Sequence, residues 1–358
     1  MSLPLVSVII PTYNYAHYIT EAIGSIQNQI YPFSSIEIIV VDDGSTDNTR
    51  EVLGKYINKG IIQYYYQQNK GKANATRYAI QKASGKYIFN LDADDYYLPD
   101  KIAASIRIFE ENPDIVHIGT PAKAISAATN TTQVEDVPAD ILEKPLDGNW
   151  LMLRFYNNNI LFGGGSTYSV RASILKQIHI PDGVDMYIDE FLILAVLPFG
   201  KSYFIKQPLS VWRVHEFNYT TRTSIRDHQI RKEERLIHSS GAVLSYLENN
   251  HFDNKLVKIY RLRDATRKIV FKEFLETKGI KDILYYTFHV FFQIRPHWRL
   301  IMKYNVIIRL FPSSLILFLK SFRKLKHTVS PHIEGKLSEG SFYQRKKLQA
   351  KTDYSKMS

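Results

Sequence analysis

Strand-like and helix-like segments alternate through the first hundred residues, and this alternation constrains the fold more than any other feature. VSVII (6–10), IEIIVV (36–41), IIQYYYQ (61–67) and KYIFNL (86–91) are short apolar runs that read as strands. Each leads into a polar loop and then a helical pattern, over about 17–29, 46–58, 72–84 and 99–111. Such alternation builds βαβ units, so the expected fold is α/β, a mostly parallel sheet with helices on both faces. The nearly continuous apolar runs fit a sheet buried on both sides. Ligands of such sheets bind beyond the carboxyl ends of the strands. The polar motifs PTYN (11–14), DDGSTD (42–47) and DADD (92–95) fall there.

Further along, residues 120–148 are rich in Ala, Thr and Pro, weakly periodic, and expected to be irregular. LFGGGSTYSVRASIL (161–175) reads as a glycine loop, a strand and a short helix. MYIDEFLILAVLPFG (186–200) reads as a buried helix with Asp189 and Glu190 near its start, and KSYFIKQPLSVWRVH (201–215) as a strand and an exit segment. Beyond about residue 222 the pattern is helical and highly charged. Residues 282–326 are apolar and basic together, with Arg295, Arg299, Lys303, Arg309, Lys320, Arg323, Lys324 and Lys326 against one acid, Asp282. No window there reaches the ~20 uninterrupted apolar residues of a transmembrane helix. Two readings fit: helices lying in an anionic membrane interface, or a helical subdomain packed on the rest of the chain. The expected organisation is a first domain over 1–221, a helical region over 222–328 and a polar, disordered tail over 329–358.

The net charge of +11 serves solubility or an anionic partner: nucleic acid, membrane or a phosphate-bearing substrate. The chain shows no nucleic-acid recognition module, and its basic residues gather in an apolar segment, so nucleic acid is not expected. With no cysteine, disulfides, thiolate metal sites and cysteine nucleophiles are excluded. MSLPLVSVIIPTYN has no basic n-region and reads as a strand rather than a signal peptide. The expected location is cytoplasmic, peripheral on the inner face of the membrane.

Asp92 and Asp94 stand at i and i+2 where a strand ends, so they face the same way. Asp95 lies at the following turn. Carboxylates that close repel one another, and a cation is expected among them. Hard oxygen donors match Mg²⁺ or Mn²⁺, which bridge to substrate phosphates. The same residues also fit an acidic helix start, with Asp95 or Asp100 as cap. VVDDGSTD (40–47) lacks the G-x-G-x-x-G phosphate cradle. Its carboxylates would repel phosphate and instead accept from a base N–H or ribose hydroxyls, while Ser45 or Thr46 caps a helix.

In this order and at this spacing, SVIIPTYN (7–14), VVDDGSTD (40–47), NKGKANATRYAIQKASGKYI (69–88) and LDADD (91–95) resemble the nucleotide-sugar-binding half of a family-2 glycosyltransferase of GT-A fold. The resemblance covers roughly residues 5–220. It implies a UDP- or dTDP-linked sugar donor and a divalent metal, Mn²⁺ or Mg²⁺. Pro11 and Tyr13 would flank the base and Asp43 would receive its N–H. Arg77 would approach the nucleotide or its diphosphate, and Asp92 the ribose or sugar. Asp94 and Asp95 would share metal and diphosphate. IDEFLIL (188–194) resembles the family's acidic pair, in reversed order, which makes Glu190 the expected general base with Asp189 as neighbour. A sugar hydroxyl is a poor nucleophile and needs a carboxylate to take its proton. VWRVH (211–215) resembles an aromatic-Arg-x-His segment and places His215 by the diphosphate or metal. The glycines at Gly163–Gly165 would admit backbone close to acceptor or sugar. QPLSVWR (207–213) does not match the processive Gln-x-x-Arg-Trp, so single-sugar addition is expected. Direct displacement, as in the family, would invert the anomeric centre. The acceptor would be a hydroxyl of a glycan or a lipid-linked saccharide, in polysaccharide or cell-surface glycan synthesis. A nucleotidyltransferase would need a Gly/Lys/Arg-rich loop by the first strand, which PTYNYAHYI lacks. A non-catalytic sugar-nucleotide binder is separable only by assay.

Overall fold

A computed structural model describes residues 3–126, 128–129, 131–158, 164–215, 218 and 226–291. The strands are β1 (Val6–Thr12), β2 (Ile36–Asp42), β3 (Gln63–Tyr66), β4 (Tyr87–Asn90), β5 (Tyr96–Tyr97), β6 (Ile115–Gly119), β7 (Ala122–Ser126), β8 (Thr131–Val134), β9 (Pro145–Asp147), β10 (Tyr168–Arg171), β11 (Lys201–Phe204) and β12 (Ser210–Val214). The helices are α1 (Ile19–Gln27), α2 (Thr49–Asn58), α3 (Lys72–Lys82), α4 (Lys101–Glu111), α5 (Gly148–Asn158), α6 (Ala172–Leu175), α7 (Ile188–Val196), α8 (Arg226–Asn249), α9 (Asn254–Phe274) and α10 (Ile280–Phe291).

An eight-stranded sheet runs in the order β3-β2-β1-β4-β10-β6-β11-β9. β3, β2, β1 and β4 are parallel. β10 is antiparallel to both β4 and β6, β11 is parallel to β6, and β9 is antiparallel to β11. Every residue of β1 is buried, as a strand covered on both faces requires. α1 buries Ile19, Ala22, Ile23 and Ile26, the i, i+3, i+4, i+7 stripe of a helix laid on a core. These residues join Val8, Ile38, Phe89 and Phe109 in the central apolar cluster.

Residues 120–148 differ from the irregular segment expected. They form β7, β8 and β9, and β7 and β8 enter a second sheet ordered β5-β12-β7-β8. β8 is fully exposed, so the apolar signal that marks a buried strand is absent. In 201–215 the expected strand is β11, and the exit segment after it becomes a further strand, β12. β12 pairs antiparallel with β5, Val211 opposite Tyr96. This pairing brings residues 213–215 back beside the aspartates that precede β5.

The chain divides into two contact units. The first comprises the described residues of Met1–Met152 and Phe162–Gln229 and holds both sheets. The second comprises the described residues of Leu153–Leu161 and Ile230–Ser358. Within it, Asp253 caps α9 by accepting from the Lys255 N–H at 2.6 Å. Lys272 pairs with Asp282 at 2.5 Å, joining α9 to α10. Ile280, Leu284 and Phe288 leave one face of α10 exposed at 76%, 62% and 59%. No described helix is long and apolar enough to cross a membrane. Residues 292–326, most of the basic apolar stretch, and the 329–358 tail lie outside the described residues.

Candidate active site

Parallel pairing in register brings the ends of β1, β2 and β4 to one edge of the sheet. Thr12 lies opposite Asp42, and Ile9 opposite Asn90. The loops after these strands interlock. Asn14, at φ 58°, accepts from the Thr46 N–H at 2.7 Å and the Asp47 N–H at 3.2 Å. The N–H of Asn14 donates to Ser45 Oγ at 2.9 Å. Gly44 has φ +79°, and a Cβ there would stand 2.7 Å from the backbone nitrogen of Asn69. The DDG turn therefore packs directly on the loop that enters α3.

Asp43 is 3% exposed. Its oxygens accept from Gln67 Nε2 at 2.6 Å, the Lys70 N–H at 2.9 Å and the Gly71 N–H at 2.8 Å. Pro11 is a buried residue of β1 opposite Val41. Tyr13 follows it and is exposed.

Asp92, Asp94 and Asp95 each offer a carboxylate oxygen, and these oxygens all lie within 4.8 Å of one another. Each carboxylate has its own support. Asp94 Oδ2 takes the Asn218 amide at 2.8 Å and lies 3.2 Å from His215 Nε2. The Tyr15 hydroxyl is raised by burial and then by the charge of Asp94. Asp95 Oδ2 accepts from Ser166 Oγ at 2.6 Å, and Asp95 Oδ1 from the Arg213 N–H at 3.1 Å. Ser166 Oγ in turn accepts from the Asp92 N–H at 3.1 Å. A Cβ on Gly165 would fall 2.5 Å from Asp92 Oδ1, so only glycine lets this turn lie against the carboxylate. His215 stacks on Tyr18 with ring centroids 4.5 Å apart. Arg213 lies over the rings of Tyr18 and Tyr96 and pairs with Glu21 at 2.7 Å.

Lys72, the first residue of α3, reaches into the cluster. Its Nζ is 2.7 Å from Asp92 Oδ1 and 2.9 Å from Asp189 Oδ2. Of the expected acidic pair, Asp189 is thus tied to the aspartates. Glu190 follows it in the first turn of α7, half-buried. Arg77 lies further along α3 and binds Asp182 at 2.8 Å and the Ile180 carbonyl at 2.9 Å. Of the glycine run, Gly164 and Gly165 are described and Gly163 is not.

Crowding sets the electrostatics. Burial, opposed by Lys72 but reinforced by Asp189 and Asp94, pushes Asp92 up to about 6. Burial and then repulsion from Asp94 and Asp92 hold Asp95 well above the usual carboxylate range. Burial also works against Asp94, but the hydrogen bond and charge of His215 bring it below that range. Burial opposes charge on Lys72, and Asp189 and Asp92 outweigh it, keeping the ammonium well above its ordinary range. Three hard oxygen donors that resist shared ionisation fit a divalent cation such as Mn²⁺ or Mg²⁺. Sequence reasoning singled out the aspartates and His215 but missed Lys72, Ser166, Tyr15 and Asn218.

A family model described as Glycosyl transferase family 2 matches residues 7–178. A protein of Nostoc sp. described as an uncharacterized glycosyltransferase is 30% identical over 217 residues, 60% of this chain and 66% of that one. Another, from Rickettsia typhi, is 44% identical over 115 residues, 32% of this chain and 35% of its own length. The chain therefore spans about two thirds of one relative and about a third of the other. A putative teichuronic acid biosynthesis glycosyltransferase of Bacillus subtilis, TuaG, is 40% identical over 110 residues, 30% of this chain and 43% of that one. Among solved structures, S. aureus TarS 1-349 in complex with UDP-GlcNAc superposes with a TM-score of 0.59 at 18% identity, covering 89% of this chain and 92% of that one. The complex of TarS 1-349 with UDP gives 0.55 at 20% identity, covering 78% of each chain. These likenesses bear out the α/β fold of GT-A type.

Proposed function

The chain belongs to glycosyltransferase family 2 through residues 7–178, and on that premise we propose that it moves one sugar from a UDP- or dTDP-sugar to an acceptor hydroxyl, inverting the anomeric centre. The observation that carries this reading is the meeting of Asp92, Asp94 and Asp95 with Lys72 and Asp189 at the carboxyl edge of the parallel strands. One end of that constellation faces the nucleotide loops. The other end belongs to α7, where a proton acceptor is required.

Asp94 and Asp95, with His215 beside them, are assigned to hold Mn²⁺ or Mg²⁺. When bound, such an ion offsets the negative charge that gathers on a departing diphosphate. Asn218 and Ser166 orient the carboxylates that would receive it. Pro11 and Tyr13 border the position assigned to the base. Asp43 fixes the 69–71 loop and borders the same position. Arg77 is assigned to the nucleotide end of α3, where it would exchange its exposed partner Asp182 for phosphate oxygens. Asp92 faces the ribose or sugar. Asp189 already holds the Lys72 ammonium, so the proton of the attacking hydroxyl is assigned to Glu190.

The TarS complexes make UDP-linked sugars the first donors to try, and TuaG makes a polysaccharide or cell-surface glycan the first acceptor class. We place the acceptor on a glycan or a lipid-linked saccharide. The enzyme is placed against the anionic inner face of the membrane, through the exposed face of α10 and the basic apolar sequence after it. The test is nucleoside-diphosphate release from a panel of UDP- and dTDP-sugars, with acceptor glycans, in Mn²⁺, Mg²⁺ or EDTA. Release from one donor, lost in EDTA and in Asp94→Ala, is the expected result. No release from any donor, together with no calorimetric binding of any of them, would overturn the reading.

A further inference from the structure

Lys72 has no part in the reaction as assigned above, yet the chain goes to some length to place it. A cation in the first turn of a helix meets the positive end of the helix dipole, and α3 has no acidic residue there to offset it. The loop before it is nonetheless fixed from two sides. Asp43 takes the N–H groups of Lys70 and Gly71, and the Gly44 turn packs on Asn69. The ammonium ends at 2.7 Å from Asp92 and 2.9 Å from Asp189, the latter 117 residues away in the chain. Among the described residues the second oxygen of Asp189, Oδ1, is buried without a hydrogen-bond partner, so the contact with Lys72 fixes where this carboxylate points. Tyr187, just ahead of it, turns the chain into α7 at φ 66°, a conformation that a tyrosine holds only when its surroundings impose it.

We propose that Lys72 is a positioning residue that ties the donor-side Asp92 to the acceptor-side Asp189, and so sets the distance between the sugar and the first turn of α7, where Glu190 stands. The proposal rests on the glycosyltransferase reading of this site. Lysine reaches both carboxylates as a compact charge on a flexible stem. Methionine keeps much of that stem and removes the charge.

Two measurements on the full-length chain test it. The first is ¹⁵N NMR of the lysine ammonium groups. Lys72 should give a slowly exchanging signal that disappears in K72M and moves in D189N. The second is steady-state transfer by K72M, D189N and the double variant. Misplacement of a reacting group by about 1 Å costs on the order of 100-fold, so kcat of K72M should fall about 10- to 100-fold with donor KM within about 3-fold. Because both substitutions break one link, the double variant should be no slower than the slower single one. A Lys72 signal that is absent, or unmoved by D189N, overturns the proposal whether or not the preparation is active. A kcat for K72M within about 2-fold of wild type, or multiplicative losses in the double variant, overturns it as well. If wild type uses no donor while the signal is present and moves in D189N, the bridge stands and the glycosyltransferase assignment of the site falls.

Discussion

Ser166→Ala removes one buried hydroxyl that serves two of the three aspartates. The Oγ donates to Asp95 at 2.6 Å and accepts from the Asp92 N–H at 3.1 Å. A hydrogen bond contributes about 0.5–1.5 kcal/mol when it goes to a neutral carboxyl and about 1.5–3 kcal/mol when it goes to a carboxylate, and a buried N–H left without a partner costs about 1–3 kcal/mol. The two losses share one oxygen and one turn, so their sum is an upper bound, and a net destabilisation of about 2–4 kcal/mol is expected. Its pH dependence has a definite sign. Burial, Asp94 and Asp92 raise Asp95 above its unfolded value, and the Ser166 bond resists that rise. An acid raised in the folded state holds its proton after the unfolded chain has lost it, so stability falls as pH rises towards the folded pKa. Without Ser166 the folded pKa climbs further and the fall continues to higher pH. The gap between S166A and wild type should therefore widen as pH rises through the wild-type folded pKa of Asp95 and should not narrow anywhere. Urea unfolding followed by circular dichroism, in EDTA to keep the cluster free of metal, measures it. A gap below about 0.5 kcal/mol, the scatter of an ordinary surface substitution, or one that narrows from pH 5 to pH 8, would refute the argument.

Asp94→Asn keeps the shape of the side chain but removes a charge that His215, Asn218 and Tyr15 surround; Mn²⁺ affinity by calorimetry should drop at least about tenfold, roughly 1.4 kcal/mol. Lys101 is fully buried, donates to the Thr167 carbonyl at 2.8 Å, and is lowered by burial to about 7. Between that value and the ordinary lysine range only the unfolded chain holds the proton, so stability should rise with pH by up to about 1.4 kcal/mol per unit. Lys101→Met should flatten that slope in urea titrations at pH 7, 8 and 9. Leu284→Glu combined with Phe288→Glu places two charges on the exposed face of α10; binding to anionic vesicles in a sedimentation assay should weaken roughly tenfold or more if that face enters the interface, with donor turnover in solution unchanged.

β1, β2 and β4 could be read from sequence because a strand covered on both faces has to be apolar almost throughout. β7 and β8 could not. Their outward residues are polar or small, their inward ones few, and their sheet exists only through pairing with β12, about eighty residues later. The same long-range pairing hid Asn218 and Arg213, which reach the aspartates because β12 folds back against β5. Ser166 was hidden for a different reason: one hydroxyl after a glycine run has no pattern that distinguishes a turn from a carboxylate support.

Lys72 and Arg77 show how a motif can draw attention to one member and hide another. Both lie in KANATRYA, where the family resemblance pointed to Arg77 for the nucleotide and passed over Lys72. In the structure the Arg77 fork is taken by Asp182 and the Ile180 carbonyl, while the lysine at the helix start enters the carboxylate cluster. The sequence did hold a signal for this. A glycine followed by lysine at a helix N-terminus puts a cation where the helix dipole repels it, and a cation kept there needs carboxylates from elsewhere in the chain. Two unexplained charges of opposite sign, one group at the end of a strand and one at the start of a helix, are better read as partners than as separate puzzles. On that rule the sequence alone pairs Asp92 with Lys72. It does not reach Asp189, because nothing in IDEFLIL distinguishes an acid that faces a lysine from one that only favours a helix start.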